Sequence, residues 1–477
     1  MHTKQSQNNM GSTRTLVQTQ TITFDVSYSE LSAWKQEESD SSPEDDEHQR
    51  LWYHHVGKAL GILLYNADYT LEAQRRSLNF FRRLVASSLG VFQGANGGYT
   101  GSWESFMTDD GTPLELSWDW GVNDSRPTIR YSVEPIGLQA GTSLDPQNLL
   151  IGPVFQDRLN QILPDARVEL FDYFKEFFSG GGGGKTERPG RNSSMMNKWY
   201  NYFVNLFNGR GNTEPAFLNG LRDHNSSVFY AFDLTETEIT AKAYFFPKYR
   251  ASSSGKTNLE VLFESMKSAP HCTEHNLPAL SVFSDFSEDE ASRGLEYEML
   301  AIDLIDPFKS RFKIYFRSRQ TSFDSLTNII TLGGRIKGPN MRRGLEDLRG
   351  LWNAIFGVDT SSAQPLRSVN HRTAGMLYNV EFRIGDRFPV AKVYLPVRHY
   401  SKSDDAVIKG LEEYFRSHHR GSYMEAYRRA MTAQFGSESL AARAGIQTYV
   451  GCTIRPDGAL RVVSYFKPSL SEPGTSV

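Results

Sequence analysis

The chain has 477 residues, 39% hydrophobic and 12% aromatic, enough to bury a large core. A formal net charge of −3 speaks against a general nucleic-acid binder, whose contact face carries a basic excess, so any polyanion site must be a local cluster. Two cysteines, Cys272 and Cys452, give neither a disulfide framework nor a thiolate metal cage, and no apolar run approaches the roughly 18 residues of a membrane helix. No secretory h-region opens the chain, so the expected compartment is the reducing cytoplasm, with no membrane partner. Residues 1–25 are polar and read as a disordered tail, and length alone suggests roughly two to four domains. The run EESDSSPEDDEHQ at 37–49 reads as an acidic solvated linker. From 51 to 89 apolar residues recur at spacings of three and four, which predicts helices.

After that the period shortens to two. LELSWDW, TIRYSVEPIG, AFDLTETEITAKAYFFP, AIDLIDPFKSRFKIYF, YNVEFRIGDRFPVAKVYLP and YVGCTIRPDGALRVVSYFKP are alternating or β-rich, several with hairpin turn signals such as RPDG. Helix-like stretches such as RRGLEDLRGLWNAIFG and DDAVIKGLEEYFRSHH lie between them. SGGGGGKT at 179–186 misses the phosphate-loop pattern by one position, since Ser179 stands where glycine is required. It also follows a helix-like segment rather than a strand, so 179–195 is read as a flexible glycine-rich insertion.

A basic residue shortly before a tyrosine recurs late in five strand-like runs: Arg130 with Tyr131, Lys242 with Tyr244, Lys313 with Tyr315, Lys392 with Tyr394, and Arg461 with Tyr465. The last four tyrosines lie 71, 79 and 71 residues apart, which implies one supersecondary unit used repeatedly. Residues two apart in a strand share a face, so Lys242 and Tyr244, then Arg311, Lys313 and Tyr315, then Lys392 and Tyr394 point one way, with apolar residues pointing the other. Lysine and tyrosine alternating with apolar residues also describes the solvent face of an ordinary antiparallel sheet. The repetition favours a closed sheet, with a cationic, aromatic, wet lumen inside and helices outside.

Arg, Lys and Tyr together suit a diphosphate: guanidinium and ammonium groups make charge-assisted bonds to phosphate oxygens, and tyrosine faces attract a carbocation. A metal-dependent alternative would need a D-D-x-x-D run, and Asp45-Asp46, Asp109-Asp110 and Asp404-Asp405 all fail to complete one, so no metal or cofactor is expected. A non-catalytic barrel binding an anionic hydrophobic ligand would share these features.

DGTPLELSWDW, IRYSVEPIG, ITAKAYFFP, DPFKSRFKIYF, the LGGR ending at Arg335, and AKVYLPVRHY together resemble the fungal indole prenyltransferases of the dimethylallyltryptophan synthase type. The resemblance implies an α+β fold, the αββα barrel of ten antiparallel strands around a solvent-filled lumen with an outer ring of helices, as one domain over 26–477. It also implies metal-independent transfer of a dimethylallyl group from dimethylallyl diphosphate to an aromatic carbon, in secondary metabolism, and a possible homodimer. It places diphosphate binding and cation shielding on Arg130, Lys242, Tyr244, Arg311, Lys313, Tyr315, Lys392, Tyr394, Arg461 and Tyr465, where Arg461 replaces a family tyrosine. Glu115 takes the role of accepting the indole N–H, and Leu377 faces the prenyl tail.

Two positions depart from the tryptophan-specific pattern: Phe229 stands where a lysine base is expected, and Glu298 where an arginine binds the substrate carboxylate. The expected acceptor is therefore a tryptophan-containing cyclic dipeptide or an indole alkaloid, with tyrosine, hydroxynaphthalene or aromatic polyketide acceptors as the alternative.

Overall fold

The computed structural model describes residues 31–40, 45–92, 103–179, 225–358 and 363–470. Within them ten strands close into one antiparallel barrel: β1 (Leu114–Gly121), β2 (Thr128–Val133), β3 (Val228–Leu234), β4 (Ile239–Phe245), β5 (Glu296–Asp303), β6 (Phe312–Ser318), β7 (Met376–Phe382), β8 (Val390–Leu395), β9 (Gln447–Ile454) and β10 (Leu460–Phe466). Each strand pairs with its neighbours in sequence, and β10 pairs with β1, so no edge is left open. This is the αββα barrel that the motifs implied.

Alternation decides what fills the two faces. Outward positions are large and apolar: Trp118, Phe232, Phe245, Phe312 and Phe316 are all fully buried. Helices lie over them. Phe174 of Glu169–Phe178 packs on Phe245 and Phe312, Phe283 of Pro278–Ser287 stacks on Phe316, and Tyr427 of Met424–Phe435 meets Trp118 edge-on. Each such aromatic contributes about 1.5–3 kcal/mol by leaving water, and this outer layer supplies the main core. The lumen can therefore stay polar.

The helical reading of 51–89 is found as Lys58–Asn66 and Leu71–Phe80, joined to wider π-type turns at Tyr53–Gly57 and Phe81–Val85. One reading changes. The acidic run at 37–49 is not a solvated linker throughout: Ser32–Ser39 and Glu47–Trp52 are helices, and buried Glu37 accepts from Asn79 Nδ2 at 2.8 Å. Tyr131 adjoins Arg130 rather than lying two residues away, so it points outward, where Phe81 and Phe232 pack against its ring. The tail at 1–25 and nearly all of the glycine-rich insertion fall outside the described residues. Among the described residues no helix is long and apolar enough to cross a membrane.

Candidate active site

One end of the lumen is a belt of charge. Arg130 on β2 bonds Asp119 on β1 at 2.5 Å and lies 3.2 Å from Asp233 on β3, which also takes Lys242 of β4. Arg461 on β10 reaches Asp119 from the other side at 2.5 Å. Asp303 on β5 accepts from Arg311 at 2.6 Å and from Lys313 at 3.1 Å, and Glu381 on β7 lies 3.7 Å from Arg311. With Lys392, six cations face four carboxylates, and the belt carries a positive excess.

The excess is visible in the titration of its members. Burial pushes Lys242 down to about 8, with Arg130 and Lys313 adding to the push against the pull of Asp233. Burial, then Arg130, brings Lys392 down to about 7. Burial alone would raise Asp233 and Asp303, but their cationic neighbours outweigh it and hold both carboxyls well below the usual range. Lys392 has no carboxylate in hydrogen-bond reach among the described residues. Its ammonium donates to Tyr465 Oη at 2.8 Å and lies 4.3 Å from the centre of the Tyr394 ring.

Above the belt is a tier of rings. Tyr244 stacks on Phe229 with centroids 4.1 Å apart, Tyr315 stands 5.7 Å from Tyr244 and 6.0 Å from Tyr394, and Tyr465 is 5.5 Å from Tyr394. Tyr394 Oη donates to Tyr315 Oη at 3.3 Å and accepts from Asn379 at 3.0 Å. Leu377, beside Tyr394 across the β7–β8 pair, completes the apolar wall with Met299 and Ala301. Gly451 faces the same space. A Cβ there would lie 2.7 Å from Lys392 Cε and 3.0 Å from the Tyr465 ring, so the missing side chain is what lets those two groups meet.

Glu115 of β1 lies beyond the tier. It accepts from Thr448 Oγ1 at 2.6 Å, its one hydrogen-bond donor among the described residues. Burial raises its carboxyl to about 7, against the pull of Thr448 and of Arg398. Arg398, on the short helix Val397–Tyr400, bonds Asp109 at 3.1 Å and Tyr449 Oη at 2.8 Å. Thr373 Oγ1 sits between His371 Nδ1, His399 Nε2 and Asp109, at 2.8, 2.8 and 3.3 Å, so a hydroxyl fills the centre of this three-residue group. Burial and neighbouring Arg398 push His399 down to about 4.

The model of the tryptophan dimethylallyltransferase family matches residues 48–430. The chain belongs to that family. It is 35% identical over 432 residues to the 4-O-dimethylallyl-L-tyrosine synthase of Claviceps purpurea, covering 88% of both chains. It is 29% identical over 431 residues to a 7-dimethylallyltryptophan synthase of Aspergillus fumigatus, covering 87% of this chain and 84% of that one. Among solved structures, AnaPT from Neosartorya fischeri superposes with a TM-score of 0.72 at 25% identity, over 93% of this chain and all of the other. The protein is an aromatic prenyltransferase, a transferase by class.

Every site residue expected from the prenyltransferase motifs lies in this one lumen. The cations form the belt and the tyrosines the tier above it, while Phe229 and Leu377 line the wall and Glu115 stands at the far end. Glu298 is there too, but not as an isolated departure, because Arg317 on the facing strand bonds it at 3.0 Å. A guanidinium thus remains beside the position from which the family arginine is missing. Sequence reasoning passed over the carboxylates Asp119, Asp233 and Asp303 that hold the cations in place. It also passed over Gly451, Thr448, Arg317 and the pairing of Arg398 with Asp109.

Proposed function

We propose that this prenyltransferase moves a dimethylallyl group from dimethylallyl diphosphate to an indole acceptor, with side chains rather than a metal ion neutralising the leaving group. The observation that carries this reading is the stacking order of the lumen: an overcharged cationic belt, a tyrosine tier, then a half-buried carboxylate. The diphosphate supplies the negative charge the belt lacks, and its oxygens accept from Arg130, Lys242, Arg311, Lys313, Lys392 and Arg461. As the allylic C–O bond breaks, its electron pair leaves with the diphosphate, and these preorganised donors stabilise the charge that develops there. The allyl cation is left among Tyr244, Tyr315, Tyr394 and Tyr465, whose ring faces attract it and whose bulk keeps water away. Glu115 accepts the indole N–H and raises electron density in the ring as the new C–C bond forms; the ring proton then passes to the released diphosphate, which restores the aromatic ring.

A phenolic acceptor is the second reading, favoured by two features of the same site. Phe229 offers no base for a proton on carbon, whereas Glu115, raised to about 7, is suited to take a phenol proton as the aryl C–O bond forms. The relative from Claviceps purpurea is named for a 4-O-dimethylallyl tyrosine product, which agrees with that chemistry.

The test is an assay in EDTA with dimethylallyl diphosphate and a panel of tryptophan, tyrosine, cyclic dipeptides and hydroxylated polycyclic aromatics, read by mass spectrometry for the gain of one C5H8 unit. A product with an indole or a phenol supports the proposal and chooses between its two forms. Activity appearing only when a divalent metal is restored would overturn the side-chain neutralisation, and no product with any acceptor of the panel would overturn the indole and the phenol forms alike.

A further inference from the structure

We propose that Asn379 is a positioning residue for the transfer: its amide sets the direction of a hydroxyl chain that leaves the proton of Tyr315 free for the departing diphosphate. This rests on the prenyl-transfer reading above and adds to it a residue that acts only through its neighbours.

Asn379 lies on β7, opposite Tyr315 of β6 on one side and Lys392 of β8 on the other, so its side chain shares the lumen face with both. It is 2% exposed, too little to present a group to either substrate. Its Nδ2 donates to Tyr394 Oη at 3.0 Å, and Tyr394 Oη donates to Tyr315 Oη at 3.3 Å. An amide nitrogen has protons and no free lone pair, whereas a phenol oxygen has one proton and can accept. Because Tyr394 accepts from Asn379, its single proton goes to Tyr315, and Tyr315 keeps its own for a third group. The chain therefore has a sense, from β7 through β8 to β6.

The end of the chain is where the sense matters. Tyr315 follows Lys313 by two residues on the same strand, so it stands on the same face at the boundary between tier and belt. Tyr244 is its other phenolic neighbour within hydrogen-bond reach. A diphosphate oxygen carries negative charge and is a stronger acceptor than a phenol, so it takes the Tyr315 proton when the donor is bound. Lys392 does for Tyr465 what Asn379 does for Tyr394: it donates to the hydroxyl at 2.8 Å and leaves that phenol's proton free. These two strand neighbours thus make the tyrosines offer protons to the leaving group. A chain running the other way would aim a Tyr315 lone pair at an anion. The bond from Tyr315 strengthens as charge develops on the leaving oxygen, so the influence of Asn379 falls on kcat more than on KM.

The test is a double-mutant cycle on kcat at saturating donor, with whichever acceptor of the panel gives product. Asn379→Leu should lower kcat ~10-fold, while the calorimetric Kd for dimethylallyl thiolodiphosphate in EDTA stays within ~3-fold of wild type. Tyr315→Phe should lower kcat by at least as much, and the double variant should match Tyr315→Phe alone, because Asn379 acts only through that proton. Asn379→Asp keeps the shape but its carboxylate can only accept; it takes the proton of Tyr394, turns the chain round and should lower kcat ~10- to 100-fold. Binding of the analogue shows that a variant is folded, and the isosteric Asn379→Asp carries the test if Asn379→Leu is not. Losses that multiply in the double variant would make Asn379 an ordinary packing residue and overturn the inference. Wild-type kcat in Asn379→Asp would mean that Tyr394 donates to the amide, and would overturn it equally, as would loss of analogue binding in both Asn379 variants. All three results leave prenyl transfer standing. No product from the wild-type enzyme with any acceptor of the panel would overturn both.

Discussion

Glu115→Gln separates electrostatic assistance from mere shape. The substitution keeps the side chain's size and an oxygen for Thr448 but removes the charge that the acceptor's N–H would meet. A preorganised partner for developing charge in a water-excluded site is worth ~2.7–4 kcal/mol, so kcat for an indole acceptor should fall ~100- to 1,000-fold. The wild-type carboxyl is raised by burial to about 7. The ionised form is the active one, so kcat at saturating donor should climb as pH rises through about 7, and the variant should lack this limb.

A second readout needs no turnover. In the unfolded chain Glu115 loses its proton near 4.5, in the folded protein near 7. The folded state therefore holds the extra proton between those values, and the associated stability is fully present below about 4.5 and lost as pH rises through about 7. At pH ~8 the buried anion is a cost that glutamine removes, so the variant's melting temperature, relative to wild type, should be higher at pH ~8 than at pH ~4.5. Turnover of indoles within threefold of wild type, or an unchanged ascending limb in the variant, would refute the assignment of Glu115.

Lys242→Ala removes one of the two cations on Asp233 and one donor to the diphosphate. KM for dimethylallyl diphosphate should rise ~10- to 100-fold, and the thermal stabilisation by inorganic pyrophosphate in EDTA should shrink; an unchanged KM would remove Lys242 from the donor site. Gly451→Ala should act like loss of Lys392 although it lies on another strand, since its Cβ occupies the space where Lys392 meets Tyr465; pyrophosphate titration by calorimetry checks this, and wild-type affinity would contradict it. Leu377→Ala shortens the wall beside Tyr394, and the ratio of geranyl to dimethylallyl transfer should rise ~10-fold or more; a constant ratio in competition assays would place the prenyl tail elsewhere.

The barrel was legible because its outer face is written with period two in every strand and its inner face repeats Lys-x-Tyr at nearly constant intervals. The same rule separates Arg130 from Tyr131: adjacent strand residues cannot share a face, so Tyr131 belongs with the outer aromatics. Asp119, Asp233 and Asp303 also have the parity of the lumen. They were available to the same argument, and a cluster of buried cations demands counter-charges.

The acceptor end was less legible, and the reasons are geometric. Strict alternation back from Asp303 would send Glu298 outward, but a register shift between Tyr297 and Met299 lets Tyr297 pack on Phe283 and Phe316 while Glu298 turns in to meet Arg317. Arg398 reaches the chamber from a helical turn beyond the end of β8, and Thr448 from the bulged start of β9, so neither has a parity to read. The belt that grips the leaving group lies in the regular part of the strands, where pairing fixes every side chain. The groups that would read the acceptor sit at bulges and strand ends, which can change without disturbing the ladder. A family that keeps one donor and varies its acceptors would be expected to place its variation there, and Glu298, Phe229 and Arg398 are this chain's version of it.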